Sequence, residues 1–177
     1  MHSVVYCPQG ASVLIIITRY RLEEQAVFTF VKSLESIACP LCGGVLLSRS
    51  LRERKVINSG GVKIKLCIRR LRCEGCNRHH HELPDCVVPY KRHSAETIEN
   101  IINGIKEPED HRTAHRLLSW WSVVLPYFLN IMKSLIAKHK ISPGKAPAFR
   151  EVVRAVVNSA GWIFAGEICT RSASAFG

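Results

Sequence analysis

Cys39-Pro40-Leu41-Cys42-Gly43-Gly44 and Cys73-Glu74-Gly75-Cys76 decide the reading of this chain. Two CxxC pairs separated by 30 residues mark a four-thiolate zinc site, with Cys39, Cys42, Cys73 and Cys76 as ligands of one structural Zn2+. Each pair fits the tip of a tight turn whose amide N–H groups face the thiolates. Such a turn calls for residues that tolerate positive φ, and Gly43, Gly44 and Gly75 stand in or beside the pairs. The gap exceeds the usual spacing of about 15–20 residues. A redox CxxC explains one pair but not two, and no βαβ pattern surrounds either.

The residues between the pairs account for the wide gap. Val45-Leu46-Leu47 opens a strand, Asn58-Ser59-Gly60-Gly61 is a turn cluster, and 62–72 leaves it. There Val62, Ile64, Leu66, Ile68 and Arg70 alternate with Lys63, Lys65, Cys67, Arg69 and Leu71, the period of a half-buried strand. A long basic hairpin therefore joins the two cysteine turns. Pro84 and Pro89 punctuate an extended segment that leads to Tyr90.

Before the first pair, Val13 to Thr18 and Val27 to Val31 read as strands. Residues 1–38 are thus a β-rich or poorly ordered segment, 39–93 a zinc ribbon, and 94–177 a helical region. In the last, Ser94 is an N-cap, and Ile98, Ile101, Ile102 and Ile105 share a helix face. Gly104 and Pro108 stop that helix. A second starts near Asp110, with Ala114, Leu117, Leu118 and Trp121 inward and Arg112, His115 and Arg116 outward. The pair is a helix-turn-helix candidate, with an ordinary helical hairpin as the alternative. Pro126 breaks the pattern; Phe128 to Ile136 makes a third helix and Phe149 to Val157 a fourth. The fold class expected is α+β: a small β-rich zinc ribbon followed by about four helices, two of them a helix-turn-helix-like unit.

The 177 residues carry a net charge of +11, and the excess sits on the ribbon: +8 over 39–93, against 0 over 1–38 and +3 over 94–177. Such a balance suits a polyanionic partner. Lys63, Lys65, Arg69, Arg70 and Arg72, with Arg49, Arg52, Arg54 and Lys55 before the turn, offer phosphate contacts. Lys91, Arg92 and His93 stand where they clamp a backbone at the first helix. Arg112 and Arg116, one turn apart, are placed to reach base edges if their helix enters a major groove, or else form a solvated face.

Enzyme classes find little support, and none is expected. Asp85 and Asp110 are the two aspartates, too few for a three-carboxylate nuclease core, and no P-loop, GxSxG or HExxH pattern occurs. Four thiolates fill a zinc shell and leave no open position. His79-His80-His81 leaves three readings open: one imidazole replaces a cysteine, a second ion forms with Cys86, or the three alternate between core and solvent. Cys7, Cys67, Cys86 and Cys169 read as small buried apolar residues. The start lacks a basic signal region, and 13–17 is too short for a span. The expectation is a reducing, cytoplasmic setting with no membrane.

The run Ile68-Arg69-Arg70-Leu71-Arg72-Cys73-Glu74-Gly75-Cys76-Asn77-Arg78-His79-His80-His81, with Glu82-Leu83-Pro84-Asp85, Val88-Pro89-Tyr90-Lys91-Arg92 and the first cysteine turn, resembles an uncharacterised bacterial zinc-ribbon family. Its members, a domain of unknown function, occur beside or within insertion-sequence transposases. The resemblance covers about residues 39–125, maps the ligands to the same four cysteines, and finds Cys86 where an aliphatic residue is expected. It implies DNA association linked to mobile elements and no established reaction. The function expected is a zinc-dependent DNA-binding accessory protein of transposition or transcriptional regulation. The alternatives are a module that docks a transposase or polymerase, and an RNA-binding zinc ribbon.

Overall fold

A computed structural model describes residues 13–105, 110–139, 147–160 and 162. The readings placed on Cys7, Pro108, Cys169, the loop from 141 and the tail after 162 lie outside the described residues. Six strands form one curled sheet: β1 Val13–Ile17, β2 Tyr20–Gln25, β3 Phe28–Ser33, β4 Leu46–Ile57, β5 Lys63–Cys73 and β6 His79–Pro84. Three helices are described: α1 Ala95–Ile102, α2 His111–His139 and α3 Phe149–Asn158.

The β4–β5 hairpin is the spine. Its strands pair antiparallel from Leu46↔Cys73 to Ile57↔Lys63, as the alternation predicts. Asn58 closes the turn: its carbonyl accepts from Gly61 N, and its Oδ1 accepts from Val62 N at 2.8 Å. The other edge of β5 is shared, with β6 along Arg70–Arg72 and β3 at Leu66 and Cys67. β1 runs parallel to β6, so the N-terminal strands complete the same sheet as the hairpin. β2 was not predicted; Leu22 is the one large aliphatic residue in Tyr20–Gln25, and it is exposed.

β1 is a sheet edge, yet four of its five residues are buried. The side-chain amide of Asn158 covers that edge. Its Oδ1 accepts from Ile16 N at 2.8 Å and its Nδ2 donates to Ile16 O at 2.9 Å, replacing a missing strand.

Burial of apolar helix faces fixes the helical layer. Ser94 caps α1, its Oγ accepting from Thr97 N, as expected. Asp110 caps α2 the same way through Thr113 N at 2.9 Å. Ile98, Ile101, Leu117, Val124, Phe128, Val152, Val153, Val156 and Val157 join Leu66, Ile68, Leu83 and Val87 in one core. Trp121 ties α2 to α3 edge-on against Phe149, ring centroids 5.0 Å apart.

Three expectations are corrected. Pro126 does not divide two helices: α2 runs unbroken for 29 residues. Pro126 and Ser122 both face solvent, so water can satisfy the carbonyl freed by the missing N–H, while buried Val124 and Phe128 hold the helix on either side. Ile105 and Leu118 are exposed rather than core. α1 ends at Ile102 with Asn103 as its C-cap, and the inward stripe of α2 passes through Leu117, Trp121, Val124 and Phe128, leaving Leu118 at its margin. α1 and α2 pack on each other, but α2 is far longer than the short second helix of a helix-turn-helix, and the arrangement is three helices on a mixed sheet. By length and composition α2 is also apolar enough to cross a membrane, with mean hydropathy 1.2 over its most apolar 18 residues.

Candidate metal centre and basic groove

Both cysteine turns have the same backbone. In the first, Cys39 O accepts from Gly43 N at 2.8 Å and Cys39 N donates to Gly44 O at 2.9 Å. In the second, Cys73 O accepts from Asn77 N at 3.0 Å and Cys73 N donates to Arg78 O at 2.9 Å. The fifth residue is left-handed in each, Gly43 at φ +74° and Asn77 at φ +60°, types that tolerate this region. The N–H groups of Leu41 and Cys42 point at the Cys39 sulfur, and those of Gly75 and Cys76 at the Cys73 sulfur.

The hairpin register sets the two turns side by side, because Leu46 and Cys73 are paired partners. The sulfurs of Cys39, Cys42, Cys73 and Cys76 then lie within 4.8 Å of one another. Cys39 and Cys76 Sγ are 3.7 Å apart and Cys42 and Cys73 Sγ 3.4 Å. Four convergent thiolates at this separation fit one metal ion.

Burial pushes the Cys39 thiol up to about 12, against the pull of its backbone N–H groups. Burial also opposes ionisation of Cys73, but the Cys76 N–H and the Cys42 side chain outweigh it and bring that thiol down to about 7. Thiolate is the ligating form, so an ion here binds with release of protons.

Gly44 and Gly75 have a different role from the one expected of them. Neither needs positive φ; both make room for sulfur. A Cβ on Gly44 would lie 3.1 Å from Cys73 Sγ and 3.3 Å from Cys42 Sγ, and one on Gly75 would lie 3.2 Å from Cys42 Sγ. Gly44→Ala should therefore lower metal affinity by about 10–100-fold, the usual effect of disturbing groups around a metal's ligands. Gly43→Asn should leave it near the parent value, since Asn77 already occupies the equivalent position. Competition with a chromophoric chelator reads both. Equal affinities for Gly44→Ala and the parent would contradict the crowding described.

His80 is buried beside the centre, its Nε2 3.5 Å from Cys39 Sγ, as a neighbour of the four converging sulfurs. Cys86 lies instead beside Tyr20, whose hydroxyl donates to Asp85 Oδ1 at 2.9 Å. The three histidines do not simply alternate: His79 is exposed, whereas His80 is buried against Cys39 on one face of β6 and His81 is buried beside Arg52 on the other.

The basic residues divide into engaged and exposed groups. Arg69 forms a two-pronged ion pair with buried Glu82, Nε to Oε2 and Nη2 to Oε1 both at 2.7 Å, and this contact raises its already high pKa. Arg72 donates to Asn77 Oδ1. Lys91 Nζ sits 4.1 Å above the Trp120 ring. Lys63, Arg70, Arg92, Arg112 and Arg116 face solvent, as does Lys65, whose Nζ also stands 5.4 Å from the centre of the Phe28 ring.

Lys63, Lys65 and Arg92 meet Arg52, Arg54 and Lys55 along one groove of about 710 Å³. Glu53 is the acid in its lining, 3.9 Å from Lys55 Nζ. Arg92 reaches the groove because its carbonyl accepts from Ile57 N at 2.7 Å, which lays the segment before α1 against the end of β4. Arg52 and Arg54 also line a smaller cavity of about 270 Å³ with His81, Leu83, Pro89 and Tyr90. Burial first, then Arg52 and Arg70, hold the His81 pKa down at about 4, so its neutral Nδ1 can accept from Arg52 Nη1 at 3.0 Å. Sequence reasoning noted Arg52 and Arg54 only as part of a basic run. Their meeting with His81 and Tyr90 depends on strand pairing and carries no local signal.

Residues 39–121 match a family model described as a domain of unknown function (DUF6431). No curated protein and no solved structure matches the chain.

Proposed function

We propose that this is a zinc-dependent DNA-binding protein, with the metal structural and the β4–β5 groove meeting the phosphate backbone. The groove is the observation that carries the reading: five lysines and arginines from the hairpin, and Arg92 beside them, on one concave surface with a single, paired acid. Such a surface gains affinity by releasing condensed counterions. Zinc is favoured for the metal because four sulfurs on a tetrahedral ion at about 2.3 Å stand roughly 3.8 Å apart, close to the 3.4 and 3.7 Å pairs. A closed thiolate shell serves folding rather than hydrolysis.

Arg112 and Arg116 extend the surface. Trp120 follows Arg116 by one helical turn, and Lys91 over its ring links that side of α2 to the segment carrying Arg92. The family resemblance adds the setting, an accessory role beside transposases or in regulation. A second reading, a protein partner docked on α2, draws on exposed Leu118, Val123 and Leu129.

Fluorescence anisotropy with duplex DNA across a salt series tests the reading. Binding should weaken steeply with salt. Lys63→Glu with Lys65→Glu should weaken all sequences alike and flatten the log–log slope by about 0.9 for each phosphate left without its cation. Arg69 is unsuited to that experiment, because its removal is read as stability. No duplex binding at low salt, or an unchanged slope in the double variant, would refute the reading.

A further inference from the structure

The turn at residues 88–91 carries backbone strain that its own packing does not require. Lys91 N donates to Val88 O at 3.2 Å, closing a four-residue turn with Pro89 second and Tyr90 third. Tyr90 sits at φ +59°. The third position of such a turn favours glycine or asparagine, and a bulky residue there is strained. Tyr90 returns little of this through burial, being 72 % exposed. Strain retained at an exposed aromatic residue points to a use for its side chain.

That side chain stands at the 270 Å³ cavity. Leu83 and Pro89 give the cavity apolar wall, and Arg52 and Arg54 give it positive charge. No acidic residue lines it among the described residues. Arg54 also braces the turn from below, its Nη2 donating to Lys91 O at 2.7 Å, while its buried Nε has no partner. Because Arg52 and Arg54 line both spaces, the cavity adjoins the longer basic groove.

We propose that the cavity takes one unstacked nucleotide of a DNA strand whose neighbouring phosphates follow the groove. Tyr90 stacks on the base, the apolar wall receives its far edge, and the exposed Arg52 guanidinium meets its phosphate, with the Arg54 charge behind it. Aromatic stacking with a guanidinium pair is how proteins hold an extruded or single-stranded base. The proposal rests on the DNA-binding reading and adds to it a preference for unpaired nucleotides.

The test uses the metal-loaded full chain and four probes: a paired duplex, the same duplex with one unpaired 2-aminopurine, a single-stranded oligonucleotide, and free adenosine monophosphate. The unpaired-base duplex should bind about tenfold tighter than the paired one, with a change in 2-aminopurine fluorescence. Tyr90→Gly relieves the turn strain, so its thermal stability should match or exceed the parent's, yet the tenfold preference should vanish while paired-duplex affinity stays. Tyr90→Phe should keep the preference. Equal binding of paired and unpaired duplexes, or a preference that survives Tyr90→Gly, overturns this proposal and leaves the DNA-binding reading standing. Free nucleotide binding as tightly as the oligonucleotide overturns the strand as ligand. Binding to none of the four overturns both.

Discussion

Cys73→Ser should cost the protein its metal and much of its stability together. Cys73 is buried, ends β5, and pairs in register with Leu46 just after the first cysteine turn. Its sulfur lies 3.4 Å from Cys42 Sγ and accepts from Cys76 N at 3.5 Å, so it joins the two turns. Structural zinc contributes about 10–16 kcal/mol in small zinc-finger peptides. Here the sheet and helices bury a core of their own, and three thiolates remain, so a loss on the order of 5 kcal/mol is expected, smaller than in peptides that fold only with metal. Thermal melts with and without a strong chelator check it. The parent should fall sharply on chelation, and the variant should start low and fall little further. Equal melting of parent and variant, each indifferent to chelator, would contradict a structural metal.

Arg69→Ala is the other large effect, and it acts on the sheet interior. Glu82 has 4 % of its side chain exposed, against 32 % for Arg69. Removing the guanidinium strips the buried carboxylate of two charge-assisted hydrogen bonds. Breaking a buried pair from one side typically costs about 3–5 kcal/mol. Arg69 is about one-third exposed and water can enter in its place, so the lower end, about 3 kcal/mol, is expected. Arg69→Met with Glu82→Leu should recover part of the loss, because an apolar pair removes the stranded charge. Denaturant unfolding of parent, single and double variants gives the comparison. A single variant within about 0.5 kcal/mol of the parent, the range of ordinary surface changes, would mean the pair matters little.

What local pattern could reveal, it did. The cysteine spacing marked the four sulfurs, and alternation along 62–71 marked the hairpin that brings them together, although Val62 and Arg70 are exposed and Leu71 is buried, against the faces read for them. Ser94 and the stripe from Phe149 to Val157 marked two helices. Features set by distant contacts were out of reach. β2 is an exposed strand paired with β3, with no apolar alternation to announce it. Pro126 breaks a helix by the local rule, and burial of Val124 and Phe128 overrides that rule. His80 and His81 are both covered because Cys39 lies against one face of β6 and Arg52 against the other, which no three-residue run can show. The same holds for the ribbon's charges: Lys63 and Arg69 look alike in sequence, but one faces the groove and the other grips Glu82.

The metal centre requires four thiolates sharing one ion, and X-ray absorption at the metal edge of the purified chain decides that point. One zinc per chain is expected, with four sulfur neighbours at about 2.3 Å and no nitrogen in the first shell. A shell with nitrogen at about 2.0–2.1 Å would put a histidine among the ligands, and a folded chain that binds no metal would remove the centre altogether; either result contradicts a shared four-thiolate site.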